Sequence, residues 1–175
     1  EKVTHNICRV ASTDSRVLIH GETGTGKESA AQAIHYLSSR TDKPFIPVNC
    51  GAFSDELLLS ELFGHKKGAF TGALENRPGL IQSADGGTLF LDEVDTLSTR
   101  AQVALLRFLQ ENEIRPIGSQ KAISVDVRVV AASNKHLSKL VEAGLFRDDL
   151  LYRLDVLKIS LPPLRRRGDD VFLVA

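Results

Sequence analysis

Methionine and tryptophan are absent from this chain, cysteine occurs twice, and aromatic residues fill only 6% of its 175 positions. Each scarcity excludes something. Cys8 and Cys50 alone cannot build a disulfide scaffold or a four-ligand zinc site, so a reducing, cytoplasmic setting is the default expectation. No apolar run approaches the roughly 18 residues that a membrane span needs. No basic-then-apolar leader opens the sequence, so secretion is not expected. An excess of charge is missing too: 22 basic residues face 22 acidic ones, which disfavours a globally basic nucleic-acid binder and leaves only local patches. Methionine is missing even at position 1, so the sequence reads as an excised fragment. What is present, 42% hydrophobic and 25% charged residues, suits one globular domain with a packed core.

Strand-like and helix-like stretches alternate. A short apolar run at 16–20 ends in a glycine-rich turn, and a helix is expected over 27–37. A second strand over 45–49 contains Pro47, which suggests a sheet edge because proline cannot donate to a ladder. Ser54 can cap a helix through Phe63, with Asp55 and Glu56 at its positive end. Three glycines break the pattern over 64–73. Residues 88–91 form a fully apolar strand of the kind found inside parallel sheets. Thr99 and Gln102 fit a capping box, followed by an apolar stripe of Ala101, Ala104, Leu105, Phe108 and Leu109. A hairpin over 114–125 should turn near Gly118-Ser119. A strand over 127–132, helices over 136–143 and 146–154, and a strand over 156–161 closed by Pro162-Pro163 complete the series. The alternation predicts an α/β fold: a parallel sheet with helices on both faces, and ligands beyond the carboxyl ends of its strands.

Three motifs fall where that edge is expected. Gly21-Glu22-Thr23-Gly24-Thr25-Gly26-Lys27 matches the Walker A pattern G-x-x-x-x-G-K between a strand and a helix. Glycines let backbone N–H groups turn inward around phosphate oxygens. The helix N-terminus adds partial positive charge, and Lys27 a full one. Glu28 stands where a magnesium-touching Ser or Thr is usual, with Ser29 one place late. A glycine-rich turn that binds nothing is the alternative. The strand over 88–91 ends in Asp92-Glu93, whose side chains point to opposite faces. Asp92 suits the metal shell and Glu93 the polarisation of an attacking water. An isolated Asp-Glu pair is more often a solvated strand end. Gly68-Ala69-Phe70-Thr71-Gly72-Ala73 reads as a loop presenting one aromatic ring to a protein partner, or as a tight turn with Phe70 folded inward.

The segments GETGTGKE (21–28), ELFGHKKGAFTGA (61–73), GGTLFLDE (86–93), DVRVVAASN (126–134), FRDDLLYRL (146–154) and LPPLRRRGDD (161–170) resemble the central AAA+ ATPase domain of the bacterial enhancer-binding proteins, activators of sigma-54 RNA polymerase. The resemblance implies a P-loop NTPase (AAA+) fold, a three-layer αβα sandwich around a mostly parallel five-stranded sheet. Residues 1–165 would be the nucleotide-binding subdomain and 166–175 the start of a connector to a helical lid outside this chain. It implies ATP and Mg²⁺ as cofactors, held by Gly21, Glu22, Thr23, Gly24, Thr25, Gly26, Lys27, Glu28, Ser29 and a sensor, Asn134. Asp92 would hold the metal, directly or through water, and Glu93 would activate water. Asn49 would be the switch residue that holds and releases Glu93. Arg147 and Arg153 would be arginine fingers completing a neighbour's site.

Lying six positions apart, these arginines would point ~120° apart on one regular helix. Both can meet one phosphate only if the helix ends or bends between them. Ion pairing with Asp148, Asp149 or Asp155 is the alternative. The implied partners are sigma-54, through residues 68–73, and further copies of the chain in a ring, a hexamer in the family. DNA would be bound only through domains outside this chain, and no membrane is involved. Departures from the family pattern are Leu80-Ile81-Gln82 ahead of the acidic strand, Asp95-Thr96 after it, and His136 after the sensor. Two other classes are weaker: a small-molecule phosphotransferase lacks an arginine-rich lid here, and a non-catalytic nucleotide module would not need intact Lys27, Asp92 and Glu93.

Overall fold

Alternation of apolar residues along short strands builds this domain. A computed structural model describes residues 2–163. The proposed connector over 166–175, the Arg165–Arg167 run and most of the last family segment lie outside them. In chain order the elements are α1 (Lys2–Ala11), β1 (Val17–His20), α2 (Lys27–Tyr36), β2 (Phe45–Asn49), α3 (Asp55–Phe63), β3 (Gly64–His65), β4 (Arg77–Pro78), α4 (Leu80–Ser83), β5 (Thr88–Asp92), α5 (Thr99–Glu111), β6 (Glu113–Ile114), β7 (Ile123–Ser124), β8 (Arg128–Ser133), α6 (Leu137–Glu142), α7 (Asp148–Leu154) and β9 (Leu157–Ser160). The main sheet has the order β2-β5-β8-β1-β9, and every pairing in it is parallel. Pro47 sits on the edge strand β2, as its missing N–H requires.

Successive strand residues feed two separate cores. Leu18, Leu89, Leu91, Val129 and Ala131 point to one face, where α3, α5 and α7 contribute Leu58, Leu62, Leu105, Phe108, Leu109, Leu150 and Leu154. Val17, Ile19, Phe90, Val130 and Ala132 point to the other, under Ala30, Ala31 and Ile34 of α2 and Val10 of α1. Burying both faces is what lets strands this short persist. The sequence reading had no place for α1. Its apolar stripe of Val3, Ile7 and Val10 is short and diluted by polar residues, and gains meaning only against the sheet.

Two helix starts differ from expectation. Ser98, not Thr99, caps α5, its Oγ accepting from Ala101 N–H at 3.1 Å. Gln102 does not complete a capping box. It turns inward, 2% exposed, and donates to the carbonyls of Leu97 at 2.9 Å and Leu145 at 3.1 Å. A buried amide must satisfy its own donors, and those carbonyls lie within reach. Ser54 occupies the cap position of α3 without a capping bond from its side chain. The 114–125 hairpin is present as β6 and β7, two residues each.

The amino-terminal edge of the sheet is locked by two arginines. Arg40 pairs with Asp14 at 2.6 Å and with Asp126 at 2.9 Å, and also donates to the carbonyls of Gly87 and Asp126. Arg128 donates to the carbonyl of Val10 at 2.8 Å, anchoring α1. The Arg40 hydrogen bonds hold the Asp14 carboxyl below its ordinary range. His35, buried against Thr88 with 2.9 Å from Nδ1 to Oγ1, is held below its ordinary value chiefly by burial.

Both groups bind protons more readily in the unfolded chain, so both favour folding at higher pH. Thermal stability should therefore hold above about pH 7, fall as pH drops below ~6.5 where unfolded histidine protonates, and fall further below ~4 as Asp14 follows. Melting curves between pH 8 and 4 test this. His35→Asn, which keeps a partner for Thr88 but cannot titrate, should flatten the upper part of the decline.

Candidate functional site

The parallel register sets the carboxyl ends of the strands side by side. His20 pairs with Ser133, and Asn49 with Asp92. The segments just beyond them, bearing the phosphate loop, Glu93 and Asn134, therefore share one edge.

The phosphate loop leaves β1 and opens α2. Gly24 and Gly26 take left-handed dihedrals, φ 79° and 81°, which glycine adopts at no steric cost. Lys27 is the first helical residue and is buried. Its Nζ donates to the carbonyls of Gly21 at 3.0 Å and Glu22 at 3.1 Å. Thr25 Oγ1 donates to the Glu22 carbonyl at 2.7 Å. The loop is thus a preformed cup with an ammonium held at its rim by backbone oxygens, suited to a polyphosphate. Glu28 and Ser29 lie on the exposed first turn of α2. Neither is drawn into the cup.

At the end of β5, Asp92 Oδ1 accepts from Glu93 N–H at 2.8 Å. Among the described residues no group of three or more His, Cys, Asp or Glu converges as a metal cage. Glu93 is left-handed at φ 55°, ψ 42°, a conformation that costs a non-glycine residue of order 1–3 kcal/mol. The turn brings its carboxylate over Gly51: a Cβ at position 51 would lie 2.4 Å from Glu93 Oε2 and 3.3 Å from Asn49 Oδ1. Asn49 Oδ1 accepts from Gly51 N–H at 2.8 Å, so its NH₂ is the part available to a carboxylate. Cys50, beside this cluster, is pushed up to about 12, first by burial and then by Asp92, Glu93 and Asp95. It stays a neutral thiol.

Asn134 follows the last residue of β8 and is half-buried. Next to it, the rings of His20 and His136 stack with centroids 4.1 Å apart. Burial and the charge of His136 hold His20 below its ordinary value. Nothing in the sequence pattern linked these two histidines.

The arginines lie at opposite ends of α7. Arg147 is its extended N-cap residue, φ −80°, ψ 132°, so the helix begins after it and does not fix its direction. Its guanidinium forms a two-pronged pair with Asp149, 2.7 and 3.0 Å, on the surface, which is the ion pairing considered from sequence. Its backbone N–H donates to Gln102 Oε1 at 2.9 Å. Arg153 is exposed in the last turn, and Arg16 is held below its ordinary value first by burial and then by the charge of Arg153. Arg16 Nη2 donates to the carbonyl of Leu109 near the end of α5. Within one chain the two arginines are not brought together.

Residues 68–73 form the tip of the β3–β4 hairpin, a pairing not anticipated in the glycine-rich segment. Gly68 N–H donates to the Ala73 carbonyl at 2.8 Å and Ala73 N–H to the Phe70 carbonyl at 3.0 Å. Gly68 and Gly72 turn at φ 81° and 97°. Phe70 is 42% exposed. Its ring rests edge-on against His65 at 5.0 Å, and Ser60 holds His65 at 2.8 Å. The ring is therefore neither wholly free nor folded inward. Ala69 packs where a Cβ at Gly118 would stand, 2.8 Å away, and Lys66 N–H donates to the Ile117 carbonyl at 2.9 Å. These contacts join the loop to the β6–β7 connection. A hollow of about 320 Å³ beside it is lined by Leu57, Leu59, Phe70 and Arg100. A larger one of about 480 Å³ lies between α3 and α5, lined by Phe63, Phe108, Arg107 and Arg115. It is remote from the phosphate loop, whose chemistry rests on backbone amides rather than on an apolar cavity.

Comparison with known proteins gives the family and the fold. The family model described as the Sigma-54 interaction domain matches residues 1–160. The Sigma54-dependent transcriptional regulator SfnR of Pseudomonas fluorescens is 57% identical over 163 residues, 93% of this chain and 44% of that protein. NtrX of Brucella abortus, solved in complex with ATP, superposes with a TM-score of 0.90 at 36% identity, over 98% of this chain and 39% of that one. The P-loop NTPase domain of the Sigma-54 transport activator from E. coli shares the fold, with a TM-score of 0.62 at 21% identity over 93% of this chain and 94% of that one. The five-stranded sheet with its helices is accordingly a P-loop NTPase of the AAA+ type. The chain spans less than half the length of the curated relative it matches, 44% of SfnR.

Proposed function

The chain belongs to the Sigma-54 interaction domain family, and from that premise we propose that it is an ATP-hydrolysing activator module that remodels sigma-54 RNA polymerase through residues 68–73. The observation that carries the reading is the meeting of Lys27, Asn49, Asp92, Glu93 and Asn134 at the carboxyl ends of adjacent parallel strands. Relatives in the family are sigma-54-dependent regulators, and a structural neighbour was solved with ATP.

The loop amides of residues 21–27 and the Lys27 ammonium bind the phosphates. Asp92 would hold Mg²⁺ through the oxygen that does not accept from Glu93 N–H, and the ion when bound would supply positive charge against the phosphates. Glu93 takes a proton from the attacking water as general base. Asn49 offers its NH₂ to Glu93 and restrains it without neutralising it. Asn134, just past the end of β8, acts as the sensor of the same site. Arg147, released from Asp149, and Arg153 reach the phosphate of an adjacent copy. Because α7 begins only after Arg147, the helix does not hold the two side chains ~120° apart. The resulting change in Glu93 and Asn49 alters how the Phe70 loop is presented to sigma-54, and closed promoter complexes move toward open ones.

ATPase rate against protein concentration, measured on the full-length protein, tests the shared site. Specific activity should rise steeply and then saturate. Activity that is substantial and independent of concentration would mean a self-sufficient chain and would remove the arginines from the reaction.

A further inference from the structure

The ladder between β5 and β8 stops at Leu91 and Ala131. Beyond that pair no strand pairing holds the turn carrying Glu93 against the turn carrying Asn134, yet hydrolysis as read above needs the two at a fixed spacing. The Asp95 side chain spans the gap. Asp95 lies two residues past Glu93, in the short 3-10 turn Val94–Thr96. Its side chain is 1% exposed. Asp95 Oδ1 accepts from Ser133 Oγ at 2.9 Å. Ser133, immediately before Asn134, also organises the sensor turn: its Oγ accepts from Lys135 N–H at 3.1 Å and lies 2.8 Å from the Lys135 carbonyl.

Asp95 Oδ2 is buried and has no hydrogen-bond partner. Lys135 Nζ stands 3.7 Å from it, on a side chain that is 60% exposed and free to move. A carboxylate buried for stability alone would be satisfied at both oxygens. The protein contact to this second oxygen is the Lys135 ammonium, which like Ser133 belongs to the turn carrying Asn134.

We propose that Asp95 is a positioning residue of the hydrolytic site, clamping the Asn134 turn to the Glu93 turn through Ser133 at one oxygen and through the Lys135 ammonium at the other. It touches neither nucleotide nor water. This role rests on the ATPase reading above. It also differs in kind from phosphate binding, which hangs on β1 and α2.

The expected signature is a split between turnover and affinity. In the full-length protein, Asp95→Ala should lower kcat by about 10–100-fold, the scale of a small misplacement of catalytic groups. The affinity for a non-hydrolysable ATP analogue should stay within about twofold of wild type. Asp95→Asn, which keeps an acceptor for Ser133 and loses the charge, should fall between the two. Lys135→Met should lower kcat by about threefold without changing affinity, and its exposed position makes it safe for folding. Hydrogen exchange of amides 133–137 should quicken in Asp95→Ala.

Wild-type kcat in Asp95→Ala overturns the proposal. So does loss of affinity in step with kcat, or Asp95→Asn as low as Asp95→Ala. Lys135→Met with unchanged kcat overturns the ammonium seat. No turnover in the wild type, with the analogue still bound, overturns the ATPase reading and the positioning role with it.

Discussion

Glu93→Ala should lower ATP turnover by about 10²–10⁴-fold, the usual contribution of a positioned general base, while ATP affinity changes by no more than about twofold. The two effects separate because they rest on different elements. Affinity is carried by the cup of residues 21–27 and by Lys27 at the start of α2. Glu93 stands at the end of β5, turned toward Asn49 and Gly51 by its left-handed backbone. Glu93→Gly should lose turnover equally. It should also melt about 2–4 °C above Glu93→Ala, because glycine relieves the dihedral strain that alanine retains. Single-turnover kinetics and an equilibrium binding curve on the same preparations check the first claim, and calorimetry the second. Turnover surviving in Glu93→Ala would place the base elsewhere.

Phe70→Ala should abolish measurable engagement of sigma-54 while ATP turnover stays within about twofold, because a central aromatic anchor is commonly worth 2 kcal/mol or more, about 30-fold in affinity. The loop around it would keep its shape. Its turns are set by Gly68 and Gly72, and Ala73 stays buried beneath it. What is lost is a ring propped on His65 with nearly half its surface facing outward. His65→Ala offers a graded version: it removes the prop, leaves the ring, and should weaken engagement less. Binding of purified sigma-54 in the presence of nucleotide, read beside ATPase rates, decides the matter. If Phe70→Ala still engages sigma-54, the contact lies outside this loop.

Legibility in the sequence followed the range of the interactions. The phosphate loop, the acidic strand end and the edge placement of β2 were readable because each rests on neighbouring residues: glycine dihedrals, an apolar run, a proline without its N–H. The ion pair of Arg147 with Asp149 was also foreseeable, two residues being a local distance. Contacts across the fold were not. Gln102 looked like a helix cap until Leu145 and Arg147, more than 40 positions away, proved to be its partners. Asp95 and Ser133 are 38 positions apart, and no periodicity announces such a pair. The helix α1 escaped for a related reason: its stripe is too thin to be read without the sheet it covers.

The inward turn of Gln102 has a mechanical consequence. One amide grips three backbone groups, at Leu97, Leu145 and Arg147, so it behaves as a strut rather than a cap. Leu97 lies four residues beyond Glu93, and Arg147 is the residue proposed above to serve an adjacent copy. A displacement of the acidic turn that draws Leu97 with it cannot leave the Arg147 backbone behind without breaking one of these bonds. In the proposed ring, a shift beside one copy's water would thus reach, through a single side chain, the arginine proposed to serve the next.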